Sequence, residues 1–379
     1  MEERVSRHRH TDSRSWGSTR SYDRADSEVF RPSPQLLDRL HFRRIPELCY
    51  GESLLREKRK MKSCSLVAPA KINLYLEIIG DRSDGYHELV MVMQSIALAD
   101  RVELRTLSGE TTRVRCDHPD VPTDDRNLAA RAAMLMAGRF PDASRHWGGV
   151  EITIDKQIPV AAGLAGGSTD AAAVIVGLDL LWDLGLTVPE LQEIGAILGS
   201  DIPFCIAGGT ALATGRGEKI SALPSIEELD LVLGKYRSLQ VSTPWAYQTF
   251  RQQFGDRYIQ DAAGLEERRQ RVHSGAMVSA IAQQDARQIS QELYNDLERV
   301  VLPEYPQVAR LRDTLAAPGS DGGVLGAMMS GSGPSVFAVV ESEAAAQQLR
   351  AETARAISNP DLELWVTRTI PTGIDASLS

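Results

Sequence analysis

A loop of small residues is the part of the sequence best suited to chemistry. It runs from Pro159 to Thr169, has glycines at positions 163, 166 and 167, and leads directly into an apolar helical pattern. Glycine allows a tight turn and a close approach of the backbone to a ligand. The free N–H groups and the dipole at the start of a helix favour an anion. The sequence therefore predicts a polyphosphate-binding loop. It is not a Walker A loop, because no Gly-Lys-Ser/Thr follows the glycines.

Phosphoryl transfer needs two further groups at the acceptor: one that orients or deprotonates it, and a cation that stabilises charge. Asp201 is the candidate for the first role. It precedes a short segment with Pro203 that is typical of a first helical turn, where the dipole favours an ionised carboxyl group. Lys71 is the candidate cation. From spacing alone, the commoner outcomes are a helix cap for Asp201 and a solvated strand position for Lys71, so both roles stay open here.

The alternation of residue types predicts the strand that carries Lys71. Between residues 65 and 80, the apolar side chains at 72, 74, 76 and 78 fall on one face, and the more polar side chains at 71, 73, 75 and 77 fall on the other. This pattern predicts a strand with one face in the core and one face toward a site or solvent.

The elements around the loop follow from similar patterns. Residues 150–156 alternate like a strand, and Ser168 or Thr169 is expected to cap the helix that follows the loop and runs to Leu184. Helices are also predicted over 127–139 and from a capping box at Thr187 to residue 199. Beyond residue 215 the pattern restarts, with strands near 230–233, 335–340 and 362–366. We therefore expect two α+β domains that join near residue 215.

Composition limits the classes of function. The chain has 379 residues, of which 42% are hydrophobic and 25% charged, as in an ordinary globular protein large enough for two domains. The net charge of −9 argues against general nucleic-acid binding. No apolar run reaches membrane-spanning length, and neither the scattered cysteines nor the histidines show metal-ligand spacing. We expect a cytoplasmic protein with reduced thiols, a small-molecule partner and no resident metal; nothing in the pattern indicates an oligomeric state.

Residues 1–61 differ from the rest of the chain. They are rich in Arg and Ser, lack hydrophobic periodicity, and end at Met61, just before the first predicted strand. Such a composition cannot bury enough apolar surface to fold. We interpret the segment as a disordered extension or as the product of a misassigned start. A transit peptide would instead imply a plastid location, but its acidic residues are atypical of one.

Five short motifs occur in an order that resembles the GHMP kinases, and the resemblance covers residues 62–370. They are Ala68-Pro69-Ala70-Lys71-Ile72-Asn73-Leu74, Asp84-Gly85-Tyr86-His87, the loop at 159–172, Gly199-Ser200-Asp201-Ile202-Pro203-Phe204 and Ser330-Gly331-Ser332-Gly333-Pro334. The loop and the last motif are shared across the family. The first two resemble the branch that acts on a cytidine-diphosphate-linked methylerythritol in the non-mevalonate isoprenoid pathway.

The resemblance implies an α+β fold with the active site between two domains. Residues 62–215 would resemble domain 2 of ribosomal protein S5, residues 216–370 would be ferredoxin-like, and residues 371–379 would form a tail. It also implies ATP with Mg²⁺ as the phosphoryl donor and the 2-hydroxyl of the cytidine-linked methylerythritol as the acceptor. Lys71 and Asp201 match the catalytic pair of the family.

The resemblance further assigns the binding residues. The ATP site would comprise Asn127 and Lys156 near the adenosine, together with the phosphate loop Pro159, Val160, Ala161, Ala162, Gly163, Leu164, Ala165, Gly166, Gly167, Ser168 and Thr169. The acceptor site would comprise His87 on the cytosine, Tyr86 and Tyr247 on its two faces, Asn73 by the erythritol, and Thr243. Alanines at 161, 162 and 165 replace glycines of some relatives, which matters little unless those positions need a positive φ. Since no carboxylate beyond Asp201 stands out for Mg²⁺, the ion is expected to be held by ATP phosphates and water.

Three other functions stay open. The chain could be another GHMP kinase, for mevalonate, homoserine or a sugar; a catalytically inactive nucleotide-binding regulator; or an interaction protein whose basic N-terminal arm binds RNA or a partner. Tyr86, His87 and Tyr247 argue against the first, because a small acyclic alcohol needs no base-stacking site. Lys71 and Asp201 argue against the second.

Overall fold

Two β-sheets organise the residues that the computed structural model describes, which are 63–226, 228–318 and 322–378. All of them belong to one compact unit. The predictions for residues 1–61 fall outside these ranges.

The strands and helices are numbered in chain order. The strands are β1 (Ser63–Asp81), β2 (His87–Leu107), β3 (Thr112–Cys116), β4 (Gly149–Asp155), β5 (Thr210–Gly215), β6 (Lys219–Ala222), β7 (Asp230–Tyr236), β8 (Tyr294–Asn295), β9 (Val324–Met329), β10 (Val336–Val340), β11 (Leu362–Arg368) and β12 (Asp375–Leu378). The helices are α1 (Leu128–Arg139), α2 (Pro141–Trp147), α3 (Gly166–Trp182), α4 (Val188–Leu198), α5 (Ile202–Ala207), α6 (Thr243–Phe254), α7 (Ala262–His273), α8 (Ala276–Ala282), α9 (Ala286–Gln291), α10 (Glu298–Glu304), α11 (Pro306–Ala316) and α12 (Glu343–Ala356).

A long antiparallel pair, β1 and β2, forms the centre of the first sheet. The order is β12-β1-β2-β4-β3, with β5 on the other half of β2, β6 beside β5, and β8 parallel to β1. Helix α3 packs on this sheet so closely that a Cβ built on Gly177 would lie 2.4 Å from Leu104 Cδ1 and 3.0 Å from Leu66 Cδ1. Buried residues of β1, β2, β4, α1 and α3 form one continuous core there.

The predicted single apolar face of β1 is correct only up to Leu74. The pairing with β2 shifts register between Asn73 and Tyr75, which is a β-bulge. A bulge adds one residue to a strand, so the side chains beyond it change faces. Ile72 and Leu74 pack in one buried cluster, whereas Leu76 and Ile78 pack in another. The bulge thereby places Leu76 in the same cavity wall as Lys71 and Asn73.

The second sheet has the order β11-β7-β10-β9, and every neighbouring pair in it is antiparallel. Helices α10 and α11 lie between β7 and β9 along the chain, and α12 lies between β10 and β11. This is the β-α-β-β-α-β arrangement of a ferredoxin-like domain, which confirms the expected fold class.

The expected division at residue 215 needs correction, because the first sheet recruits strands from later in the chain. β6 pairs with β5, β8 pairs with β1, and β12 pairs with β1 through Cys64 to Val67. Residues 375–378, which were expected in a tail, therefore form an edge strand of the first sheet.

Two helix starts confirm the sequence predictions. The side chain of Asn127 caps α1 by accepting from the amide of Ala129, at 2.8 Å. Thr187 and Glu190 form the capping box of α4.

Candidate active site

A cavity of about 860 Å³ brings together residues of β1 and β2, the phosphate loop, α6 and the loop between β9 and β10. Of the residues that the sequence singles out, all but Leu164 and Thr169 line it. Those two side chains are buried beside it, with exposures of 1% and 0%. The lining includes Lys71, Asn73, Tyr86, His87, Asn127, Lys156, Pro159, Val160, Ala161, Ala162, Gly163, Ala165, Gly166, Gly167, Ser168, Asp201, Thr243 and Tyr247.

The phosphate loop turns through left-handed backbone at three positions. φ is 52° at Ala161, 75° at Gly163 and 59° at Ala165. Helix α3 begins at Gly166 with Ala165 as its N-cap, so the expected capping by Ser168 or Thr169 is wrong, because both lie inside the first turn. The alanines at 161 and 165 do occupy positive-φ positions, where a side chain is strained. First-turn N–H groups have no partner within a helix, so those of residues 166–168 are available to an anion.

The glycine-rich motif near residue 331 packs directly on the phosphate loop. Ser330 Oγ donates to the carbonyl of Gly163 at 3.2 Å, and the amide of Ser335 donates to the carbonyl of Ala162 at 3.3 Å. A Cβ on Gly163 would lie 2.4 Å from the carbonyl oxygen of Ser330, so only glycine allows this contact. The two loops therefore hold each other in place.

Lys71 and Asp201 face each other in the cavity. Lys71 Nζ lies 3.7 Å from Asp201 Oδ2 and 2.7 Å from Asn73 Oδ1. The Lys71 side chain is 6% exposed and that of Asp201 32%. Asp201 sits at the N-cap position of α5 but makes no capping hydrogen bond, so the helix backbone does not occupy its carboxylate. The strand carries Lys71 past the loop, where its amide donates to the carbonyl of Leu164.

Lys156 is held between two aspartates beneath the loop. Its ammonium group donates to Asp100 and, at 2.7 Å, to Asp170 Oδ2. Burial opposes the charge on Lys156, but the charges of Asp170 and Asp100 outweigh it and raise the pKa of the lysine. For Asp170, burial disfavours the charged carboxylate and raises the pKa well above its ordinary value. Asp100 Oδ1 also accepts the amide of Ile158, so this cluster fixes the chain at the entrance of the loop.

An aromatic group forms the far end of the cavity. The rings of His87 and Tyr247 are 5.2 Å apart and tilted by 37°, and Tyr258 meets His87 edge-on. Burial, and next the charge of Arg251, lower the pKa of His87 to about 4, so its ring is neutral at pH 7. His87 Nε2 is buried without a hydrogen-bond partner. Tyr86 stands at the rim, 54% exposed.

Thr243, at the start of α6, lies beside the glycine-rich motif near residue 331. Its hydroxyl group is 2.7 Å from Ser332 Oγ, and both residues line the cavity.

The segment Asn295-Asp296-Leu297-Glu298 was missed as a functional element. The amide group of Asn295 donates to the carbonyls of Met329 and Gly331, each at 2.8 Å. Asp296 Oδ2 accepts the amide of Ile78 on β1, and Glu298 Oε1 accepts the amide of Met329. Three polar residues in a short stretch were the available signal, but their partners lie far away in sequence. Asp100 and Arg216 were missed for the same reason.

Within the described residues, no helix is both long enough and apolar enough to span a membrane.

Comparisons with known proteins place the chain in a family. Residues 127–209 match the GHMP kinases N terminal domain, and residues 277–359 match the GHMP kinases C terminal domain. A protein of Nostoc punctiforme named 4-diphosphocytidyl-2-C-methyl-D-erythritol kinase is 62% identical over 319 residues, 84% of this chain and 100% of the relative. A protein of Trichormus variabilis with the same name is 62% identical over 314 residues, 83% of this chain and 98% of the relative.

Solved structures agree with this placement. A crystal structure of 4-(cytidine 5'-diphospho)-2C-methyl-D-erythritol kinase matches with a TM-score of 0.62 and 29% identity, over 80% of this chain and 98% of that one. Homoserine kinase from Cytophaga hutchinsonii matches with a TM-score of 0.63 at 18% identity, over 87% of this chain and 100% of that one, which shows the shared fold alone. The two sheets, the paired glycine loops and the relatives together show that the chain belongs to the GHMP kinases, a family of ATP-dependent phosphotransferases.

Proposed function

We propose that this chain transfers the γ-phosphoryl group of ATP to the 2-hydroxyl of 4-diphosphocytidyl-2-C-methyl-D-erythritol. The observation that carries the proposal is the single cavity that contains the phosphate loop, the Lys71–Asp201 pair and the His87–Tyr247 wall. The names of the 62% identical relatives support the same reaction.

The donor half of the cavity fits a polyphosphate. The first-turn amides of α3 face it, and the Lys156 cluster fixes the start of the loop. Asn127, at the start of α1, and the neighbouring residues Val121 and Pro122 line the part of the cavity that would take the adenosine.

The acceptor hydroxyl would lie between Asp201 and Lys71. Asp201 would accept its proton as it attacks, and Lys71 would stabilise the charge that develops on the transferred group. Asn73 holds the ammonium group of Lys71 from the other side. The strand and helix that carry these groups are rigid elements, so the pair is positioned before the ligands arrive.

The proposed donor is the Mg²⁺ complex of ATP. The described residues contain no cluster of three His, Cys, Asp or Glu side chains able to hold a metal ion. The donor set fits an ion held mainly by phosphate oxygens and water, as Mg²⁺ allows, and the Ser168 hydroxyl group and Asp201 line the same cavity. Bound Mg²⁺ would supply charge neutralisation for the phosphates.

The acceptor base would occupy the aromatic end. The unpartnered His87 Nε2 offers a neutral imidazole group to a cytosine edge, and Tyr247 offers a ring face. A base gains both burial and stacking in such a place.

The test is an ADP-release assay on the full chain with this substrate, with mevalonate and homoserine in parallel. We expect turnover with the cytidine substrate alone. Asp201→Asn should lower kcat by about 10²–10⁴-fold, the usual contribution of a general base. Lys71→Ala should lower it by about 10²–10³-fold, because a charge-stabilising donor is lost.

Lys219→Ala is the matched control, since Lys219 is an exposed lysine on β6 outside the cavity. It should keep full activity. Turnover of mevalonate or homoserine instead of the cytidine substrate would contradict the proposal, as would full activity in Asp201→Asn.

A further inference from the structure

Five cationic side chains line the cavity in the described part of the chain, and Arg216 differs from the other four in its lack of an ion pair. Four form ion pairs with carboxylates: Lys71 with Asp201, Lys156 with Asp100 and Asp170, Arg126 with Asp124, and Arg251 with Asp81. No described carboxylate forms an ion pair with the side chain of Arg216.

The Arg216 side chain is nevertheless fixed in position. One terminal nitrogen donates to the carbonyl of Ala196 at the end of α4, at 2.8 Å. The backbone amide of Arg216 donates to Glu218 Oε2 at 2.8 Å, and the amide of Gly215 donates to the buried Glu88 at 3.1 Å. A guanidinium group has five N–H donors, so donors remain for a ligand. The guanidinium group is therefore held in position before a ligand binds.

Arg216 borders both Tyr86 and the segment that carries Asp201. Its guanidinium carbon is 5.3 Å from the centre of the Tyr86 ring, at the aromatic end. The next residue, Gly217, is close to Ser200: a Cβ built on it would lie 3.7 Å from the Cβ of that serine, which precedes Asp201. Arg216 thus has its side chain near the site expected for the base, and the chain that carries it borders the segment expected at the reacting hydroxyl group.

We propose that the Arg216 guanidinium group binds the diphosphate of the acceptor and so selects cytidine-diphosphate-linked alcohols. This inference rests on the proposed function, because it takes the base and hydroxyl ends of the cavity from it. A diphosphate joins those two parts of the substrate and carries negative charge, and Arg216 supplies a lining cation that forms no ion pair with a described carboxylate. The planar guanidinium fork matches phosphate oxygens, and no ion pair has to break for it to bind.

The experiment compares ligands that differ only in phosphate. Calorimetry on the full chain would measure the binding of cytidine diphosphate and of cytidine, with a saturating non-hydrolysable ATP analogue and Mg²⁺ keeping both ligands out of the donor site. Arg216→Gln should weaken cytidine diphosphate by about 10- to 100-fold, the value of a hydrogen bond to a charged group, and leave cytidine unchanged. Arg216→Lys should recover part of the loss. Arg368→Gln, which removes the surface ion pair that Arg368 of β11 makes with Glu228, should change neither affinity.

The other outcomes overturn the inference. An equal loss for both ligands in Arg216→Gln would mean that the side chain acts on the base through Tyr86. Unchanged affinities would remove any ligand role. If the unaltered chain phosphorylates the cytidine substrate while either of these results is found, the proposed function stands and only this inference fails. If the unaltered chain binds neither ligand, both fail together.

Discussion

His87 shows how the environment of one residue determines its chemistry. Its pKa is lowered from 6.5 to about 4, by burial first and by Arg251 second. Between these pH values the unfolded chain binds a proton at this residue and the folded chain does not. Stability therefore falls as the pH drops from 6.5 toward 4.

We expect His87→Gln to lose less stability than the unaltered chain when the pH is lowered from 7 to 5. The glutamine variant lacks the group whose protonation favours the unfolded state. Thermal unfolding midpoints at the two pH values would measure the difference. An equal decrease in both proteins would contradict the assigned pKa of His87.

Ala165 is strained where a glycine would not be. Its φ of 59° costs an L-residue about 1–2 kcal/mol, while glycine loses about 0.5–1 kcal/mol more backbone entropy on folding. Ala165→Gly should therefore raise the free energy of unfolding by about 0.5–1 kcal/mol, as measured by denaturant titration. Ala162→Gly is the control: Ala162 is outside the positive-φ residues and only 3% exposed, so its glycine variant should be less stable. A loss of stability in Ala165→Gly would refute the strain.

At the scale of elements, the contact of α3 with the first sheet gives a paired test. Gly177→Ala should destabilise the protein by about 1–3 kcal/mol, because the new methyl group meets Leu104 and Leu66 in a packed core. Gly138→Ala, near the end of α1, meets no atom within 4 Å and should stabilise by about 0.5–1 kcal/mol through helix propensity. Urea denaturation of both variants would decide. Equal changes would mean that α3 does not sit this close to the sheet.

The elements also show which features can be predicted from sequence. Helix α1, the capping box of α4 and the strand before the phosphate loop depend on neighbouring residues, and the pattern predicted them correctly. The bulge in β1 depends on pairing with β2, and the left-handed backbone at Ala161 and Ala165 depends on the packing of a distant loop. Strand β9 was not predicted. Strand β9 pairs with β10, and burial along β9 does not alternate between its two faces. Strand β9 therefore lacks the period-two signal by which a strand is predicted.

In the site, too, features set by neighbouring residues could be predicted and features set by distant contacts could not. The motifs that carry Lys71, Asp201 and the phosphate loop were recognisable as local sequence. The pairing of Lys156 with Asp100 and the contacts of Asn295 join residues far apart in the chain. Such contacts have no local signature, because they arise only when the sheets assemble.

At the scale of the whole molecule, Asn295 joins the two sheets. It lies on β8, which pairs with β1, and it holds the carbonyls at the end of β9. Asn295→Asp should lower the free energy of unfolding by about 1–3 kcal/mol, since a carboxylate cannot donate to these two buried carbonyls. The substitution should also lower kcat, because Asn295 holds the carbonyl of Gly331 and Gly331 borders Lys71 of the proposed catalytic pair. A Cβ built on Gly331 would lie 3.7 Å from Lys71 Nζ.

Asn359→Asp is the matched control for this prediction. Asn359 is exposed and its side chain accepts from the amide of Asp361, a role that aspartate keeps. Denaturation and initial-rate kinetics on both variants would measure the effects. Equal stability and kcat in the two variants would exclude a coupling role for Asn295.

The pairing of β12 with β1 has a consequence for biosynthesis. The strand that bears Lys71 emerges from the ribosome roughly 300 residues before the strand that covers its edge, a delay of about 15–60 s at ordinary elongation rates. For that time the nascent first sheet presents unpaired backbone groups, which can recruit other chains. The edge of the catalytic strand is thus covered only after residues 375–378 have left the ribosome, and their pairing with residues 64–67 becomes the step that covers it.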